Sequence, residues 1–97
     1  MPVQVGDPPR VVLRREDLAW REVGGTIVGL DLRTSSYFSL KDTGAVLWKL
    51  LDAGARREDL VAALVARFAV TDATAGADVA AFIADLSRQG LLEQSDA

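Results

Sequence analysis

The sequence contains no cysteine and no histidine, and these two absences remove most of the chemistry open to a small domain. Without cysteine there is neither a disulfide framework nor a thiol nucleophile. Without histidine the commonest metal ligand is missing, along with the side chain that most often moves protons near neutrality. Zinc, haem and iron–sulfur sites are therefore not expected, and no D-x-D-x-D-G spacing offers calcium a loop. Phosphate cradles of the G-x-x-x-x-G-K or G-x-G-x-x-G type are also lacking. Ser35, Ser36 and Ser39 have no histidine to activate them, and pairing one with Lys41 requires a burial that its neighbours do not suggest. Fourteen acids scattered over 97 residues form pairs by chance, so carboxylate pairs alone do not argue for acid–base catalysis. The sequence thus predicts no catalytic residue, no metal and no cofactor.

Other scarcities narrow the setting. The three prolines, Pro2, Pro8 and Pro9, all precede Arg10. Proline lacks a backbone donor and opposes regular structure, so residues 1–10 read as a flexible arm. No run of eighteen apolar residues exists, which gives no support to a membrane span. The start Met-Pro-Val-Gln-Val-Gly-Asp has neither the basic nor the apolar part of a signal peptide, and a soluble cytoplasmic protein is the expectation. Eleven Lys and Arg against fourteen Asp and Glu give a net charge of −3. That balance opposes general affinity for nucleic acid, which rests on neutralising phosphates.

What is present is enough for one folded unit. The hydrophobic fraction of 49% is too high for a disordered chain, and the length suits a single core. Strands are expected from Leu18 to Val23 and from Thr26 to Leu32, joined by Gly24-Gly25, which supplies the positive φ angles of a tight hairpin. A polar turn, Arg33 to Ser36, leads to a short third strand, Tyr37 to Leu40, and an antiparallel meander is the economical topology. The first helix begins at Asp42 or Thr43, either of which can cap it, and stops at Gly54. The second runs from about Arg57 to Phe68. The third, from about Thr74 to Gln89, carries Val79, Phe82, Ile83 and Leu86 at amphipathic spacing. Residues 94–97 read as a frayed tail.

A three-stranded sheet packed on three helices is an α+β, winged helix-turn-helix-like arrangement, and such folds often place the last helix in the DNA major groove. Here the segment from Asp72 onward has five acids against the single base Arg88. A DNA-binding regulator is therefore the alternative, opposed by charge. Asp78 and Asp85 stand seven residues apart and share a helix face. That face reads as solvated surface, or as a contact for a basic peptide.

The stretch from Leu30 to Leu51, with Tyr37-Phe38-Ser39-Leu40 followed by Thr43-Gly44-Ala45-Val46-Leu47-Trp48-Lys49-Leu50-Leu51, resembles the PqqD-like family. A second block, Asp78-Val79, Phe82-Ile83, Leu86 and Gly90-Leu91, is similar to the family's last helix. Single pieces are unspecific, but the ordered pair is not, and the likeness covers residues 11–93. One departure is Arg56-Arg57, where relatives often carry a Ser or Thr cap. The resemblance implies a non-catalytic recognition element that grips the leader of a ribosomally made precursor peptide. It implies that the leader adds as an antiparallel strand to the third strand, beside the third helix, and that lasso-peptide pathways are the nearest setting. The implied partners are the leader and a leader peptidase of the transglutaminase-like cysteine protease type, or alternatively a radical-SAM enzyme. The implied template is Ser36, Tyr37, Phe38, Ser39 and Leu40. The expected pocket lies between strand three and helix three, floored by Val28, Leu30, Val79, Phe82 and Ile83. Such a pocket suits the tyrosine and proline of lasso leaders, with Asp78 and Asp85 pairing to leader lysines.

Overall fold

The computed structural model describes residues 10–93; the arm expected over residues 1–9 and the tail over 94–97 lie outside the described residues. Strands β1 (Leu18–Val23), β2 (Thr26–Asp31) and β3 (Ser36–Leu40) precede helices α1 (Thr43–Ala53), α2 (Arg57–Phe68) and α3 (Asp72–Arg88). The sheet is antiparallel in the order β1-β2-β3. Gly24 and Gly25, at φ 57° and 84°, make a two-residue turn between the paired Val23 and Thr26. Both central residues need positive φ for the turn to match the strand twist, and glycine adopts it without a steric penalty.

Register decides what each face of the sheet carries. Ile27 and Asp31 are buried, with Gly29 between them. Opposite these stand Leu40, Phe38 and Ser36 of β3. Gly29 is required here: a Cβ on it would stand 2.1 Å from the ring of Phe38. The ring therefore lies directly across the backbone of β2. Trp48 of α1, fully buried, meets Phe38 at 5.1 Å and the edge of Trp20 at 6.0 Å between ring centroids. Aromatic pairs in such tilted and edge-on arrangements add about 0.5–1.5 kcal/mol each beyond their buried area. Leu47, Leu51, Leu60, Leu64, Val79, Ile83 and Leu86 complete the core among the helices.

Helix ends are settled differently from the sequence expectation. Asp42 makes no side-chain cap; the Lys41 carbonyl accepts from Gly44 and Ala45 instead. At α2 the carboxylate of Asp59 accepts from the Arg56 backbone N–H, the return half of a capping box, while the Arg56 side chain caps no first-turn amide. α3 starts two residues early because the hydroxyl of Thr71 accepts from Thr74 N–H at 3.1 Å.

Two flanking segments close the domain. Val11 exchanges backbone hydrogen bonds with Ala55, Arg14 N–H donates to the Leu91 carbonyl at 2.8 Å, and Glu93 N–H donates to Val12. Arg14 then turns inward. Its guanidinium donates to Asp31 Oδ1 at 2.6 Å, to the carbonyls of Gly90 and Asp17, and through Nε to the Glu16 carbonyl. Asp31 also accepts from the Arg33 backbone N–H. Both side chains are 7% exposed, so each depends on the other for the polar contacts that water no longer supplies.

The hydrogen bond from Arg14 holds the Asp31 carboxyl below its ordinary pKa. A carboxyl depressed in the folded state binds fewer protons than its unfolded counterpart, so its contribution is present above about pH 4 and lost on acidification. Arg14→Met is expected to cost about 3 kcal/mol by stranding a buried carboxylate. Asp31→Asn is expected to flatten the acid limb of stability. Urea midpoints measured from pH 7 down to pH 3 check both, and an acid limb in Asp31→Asn as steep as in the wild type would refute the assignment.

Candidate functional site

The strand order leaves two edges, and they differ in surroundings. β3 pairs with β2 alone among the described residues, so its other side presents backbone N–H and C=O groups to any incoming chain. Its side chains alternate: Phe38 and Leu40 turn inward and are half-buried, while Tyr37 is 79% exposed on the outer face beside Ser39.

α3 flanks this edge. Near the Leu40 end, Phe82 and Leu40 both come within 3.6 Å of the point where a Cβ on Gly44 would lie. At the Ser36 end a groove is lined by Asp31, Thr34, Ser36, Tyr37 and Phe38 on the sheet side. Arg88, Gln89 and Leu91 line it on the helix side. The helix therefore advances from the Leu40 end toward the Ser36 end, and a strand added antiparallel to β3 would run alongside it in the same sense. Phe38 and Leu91 give the groove an apolar base, and Arg88, Gln89, Thr34 and Ser36 give it a polar rim.

The expected site residues separate into three groups. Ser36, Tyr37 and Phe38 line the groove, and Ser39 and Leu40 continue the same strand. Phe82 is half-buried by Leu40, whereas Val79 and Ile83 are closed into the core, at 2% and 5% exposure. Val28 and Leu30 point the other way. They line a shallow apolar depression on the outer face, with Ala19, Arg21 and Tyr37, so the sheet itself divides the pocket floor that the sequence suggested. The physical reason is the inward set of β2: a glycine filled by the Phe38 ring and an aspartate paired to Arg14 occupy the positions that hydrophobicity alone assigns to Val28 and Leu30.

The two acids also part company. Asp78 is exposed on α3 and does not line the groove. The Asp85 carboxylate is already engaged, by Arg88 at 2.9 Å and by the Gln89 amide at 3.0 Å. Thr34, Arg88, Gln89 and Leu91 were not singled out by sequence as site residues. The usable signal was Gly90, whose φ of 72° ends the helix and turns Leu91 back beneath the sheet edge.

Beyond the groove, Val23, Val28 and Tyr37 are exposed on the outer face, with Leu32 just past the end of β2. Among the described residues these four are the exposed large hydrophobics. No helix among them is long and apolar enough to cross a membrane.

Comparison with known proteins follows the same lines. The sequence model of the family described as coenzyme PQQ synthesis protein D (PqqD) matches residues 26–92. The solved structure of TbiB1 in complex with the TbiA(β) leader peptide is 30% identical, covering 86% of this chain and 96% of that one, with a TM-score of 0.77. A lasso peptide synthetase B1 complexed with the leader peptide is 26% identical, covering 87% and 98%, with a TM-score of 0.76. No curated protein matches the chain.

Because Phe38 both covers Gly29 and forms the groove base, Gly29→Ala is expected to displace the ring and cost about 1–3 kcal/mol. Adding Phe38→Leu to it should recover part of the loss by making room for the methyl group. Urea titration of the single and double variants checks this; a Gly29→Ala midpoint equal to the wild type would show that the ring is not seated there.

Proposed function

This chain belongs to the PqqD family, and from that premise we propose that it captures the leader segment of a ribosomally made precursor peptide by strand addition to β3. The observation that carries the reading is the edge of β3, unpaired among the described residues, lying beside a groove with an apolar base and a polar rim. The two solved neighbours, each complexed with a leader peptide, support it and favour a lasso-type pathway.

The energetics assign separate work to backbone and side chains. About four new main-chain hydrogen bonds contribute roughly 0.5–1.5 kcal/mol each. Ordering a disordered segment costs roughly 2–5 kcal/mol, so the backbone term comes out near zero. Affinity then rests on apolar anchors at roughly 1.5–3 kcal/mol each, and about three of them bring binding toward the micromolar range. Phe38 and Leu91 at one end and Leu40 with Phe82 at the other are the surfaces that receive them. Strand pairing supplies direction and register, and the anchors supply choice of partner.

The protein acts in the cytoplasm as an adaptor and needs no catalytic residue of its own. It holds the precursor and docks on a leader peptidase of the cysteine protease type, which makes the encounter effectively intramolecular. The outer face of the sheet is the surface offered to that enzyme. It holds the exposed Val23, Val28 and Tyr37 around Arg21, and Arg21 has no ion-pair partner among the described residues. None of the outward residues of the three strands is acidic. A second copy laid on this face would leave both arginines without a counter-charge, so the fitting occupant is a partner with an apolar surface and a carboxylate.

Titration with labelled lasso-precursor leaders, the TbiA(β) leader peptide first, is expected to saturate at micromolar concentration or below, while labelled duplex DNA does not bind. Hydrogen exchange should slow at amides within Ser36–Leu40 when the leader is bound; unchanged exchange there would defeat the strand-addition reading. Docking is tested separately with Arg21→Glu combined with Val28→Asp. This pair should leave leader affinity within about twofold, as surface changes away from a contact do, yet abolish any stimulation of leader cleavage by a leader peptidase of the cysteine protease type. Full stimulation in the double variant would remove the outer face from consideration.

A further inference from the structure

We infer that the Ser36 end of the groove reads a carboxylate on the bound peptide, on the C-terminal side of its paired stretch, and that Arg88 is the specificity-determining residue. This deepens the leader-binding reading and rests on it. Antiparallel addition to β3 runs the peptide from the Leu40 end to the Ser36 end, so the part of the leader nearest the remainder of the precursor passes Arg88.

The groove there is rich in donors, and the one carboxylate in its lining, Asp31, is charge-paired to Arg14. Asp31 is buried, Arg14 and the Arg33 N–H both donate to its Oδ1, and the guanidinium balances its charge. Asp85 has one oxygen on Arg88 and the other on Gln89. Arg88 uses one of its five N–H donors on Asp85, and its side chain is 70% exposed. Thr34 donates its hydroxyl to Ser36 at 2.9 Å, which leaves the Ser36 proton free to donate in turn. A lysine entering this end meets donors and a guanidinium, whereas a glutamate or aspartate meets groups that it can satisfy. The contact between Arg88 and Asp85 is an exposed pair three residues apart and holds Arg88 only weakly. This reverses the preference that the acids of α3 suggest by sequence: Asp85 competes for Arg88 in the free protein and does not bind the peptide.

The test uses a synthetic TbiA(β) leader peptide, with each residue of the paired stretch replaced in turn by Glu, Gln and Lys. Each peptide is titrated against the wild type, Arg88→Gln, Arg88→Glu and Asp85→Asn, all checked for wild-type circular dichroism. The wild type should prefer Glu over Gln by about three- to tenfold at one position toward the C-terminal side. Arg88→Gln should erase that preference, Arg88→Glu should convert it to Lys, and Asp85→Asn should strengthen it by freeing Arg88. A preference that survives Arg88→Glu, or binding indifferent to charge at every position, overturns the inference and leaves leader binding intact. Failure of every peptide to bind the wild type overturns the leader-binding reading itself.

Discussion

The buried pair of Arg14 and Asp31 is the constraint on which the rest of the structure depends. One guanidinium joins the N-terminal segment, the end of β2 and the carbonyl of Gly90 after α3. Among the described residues no other side chain hydrogen-bonds to all three segments. A buried ion pair is weak support for stability as such, because desolvation offsets much of the attraction. Its value here is geometric. Asp31 forms part of one groove wall, and Leu91, next to Gly90, forms part of the other. The separation of sheet and helix at the Ser36 end is therefore set by a fixed fork of donors and not by adaptable apolar packing.

The second constraint works through absence. Gly29 leaves a gap in the inner face of β2, and the Phe38 ring fills it against Trp48. This anchors β3 from below while its far edge is unpaired among the described residues. A five-residue edge strand would otherwise gain little from a single neighbour. The aromatic contacts hold the edge in an extended, pairing-ready form, so that an incoming segment bears its own ordering cost and little of the protein's.

Much of this was legible in the sequence, and what was not has identifiable causes. The hairpin at Gly24-Gly25, the meander and the three helices follow from turn chemistry and periodicity, which are local properties. The boundary of α3 moved because Thr71 caps it, a choice that depends on a single hydroxyl. The face assignment of β2 could not be read from hydrophobicity. Its buried positions hold a glycine and an aspartate, whose burial depends on Phe38 and Arg14, nine and seventeen residues away. The same holds for Asp85: helical spacing exposes it, but its engagement by Arg88 and Gln89 becomes apparent only when the last turn of α3 is built. The strand order is thus legible in sequence, whereas which side chains share the groove with β3 is not, since that depends on side-chain pairs distant in sequence or on rotamers at a helix end.

An added strand would link the two surfaces of this molecule without any conformational switch. Side chains of an extended peptide alternate between faces. On β3, one set would fall toward the groove with Phe38 and Leu40, and the other would fall beside Tyr37 and Ser39 on the outer face. On the proposed reading the peptide would therefore widen the apolar surface around Arg21 by a fourth strand, and a docking enzyme would contact protein and leader together. Preference for the loaded form over the empty one then follows from contact area alone. It requires only that β3 be the last strand of the sheet, with one edge unpaired and both faces differently furnished.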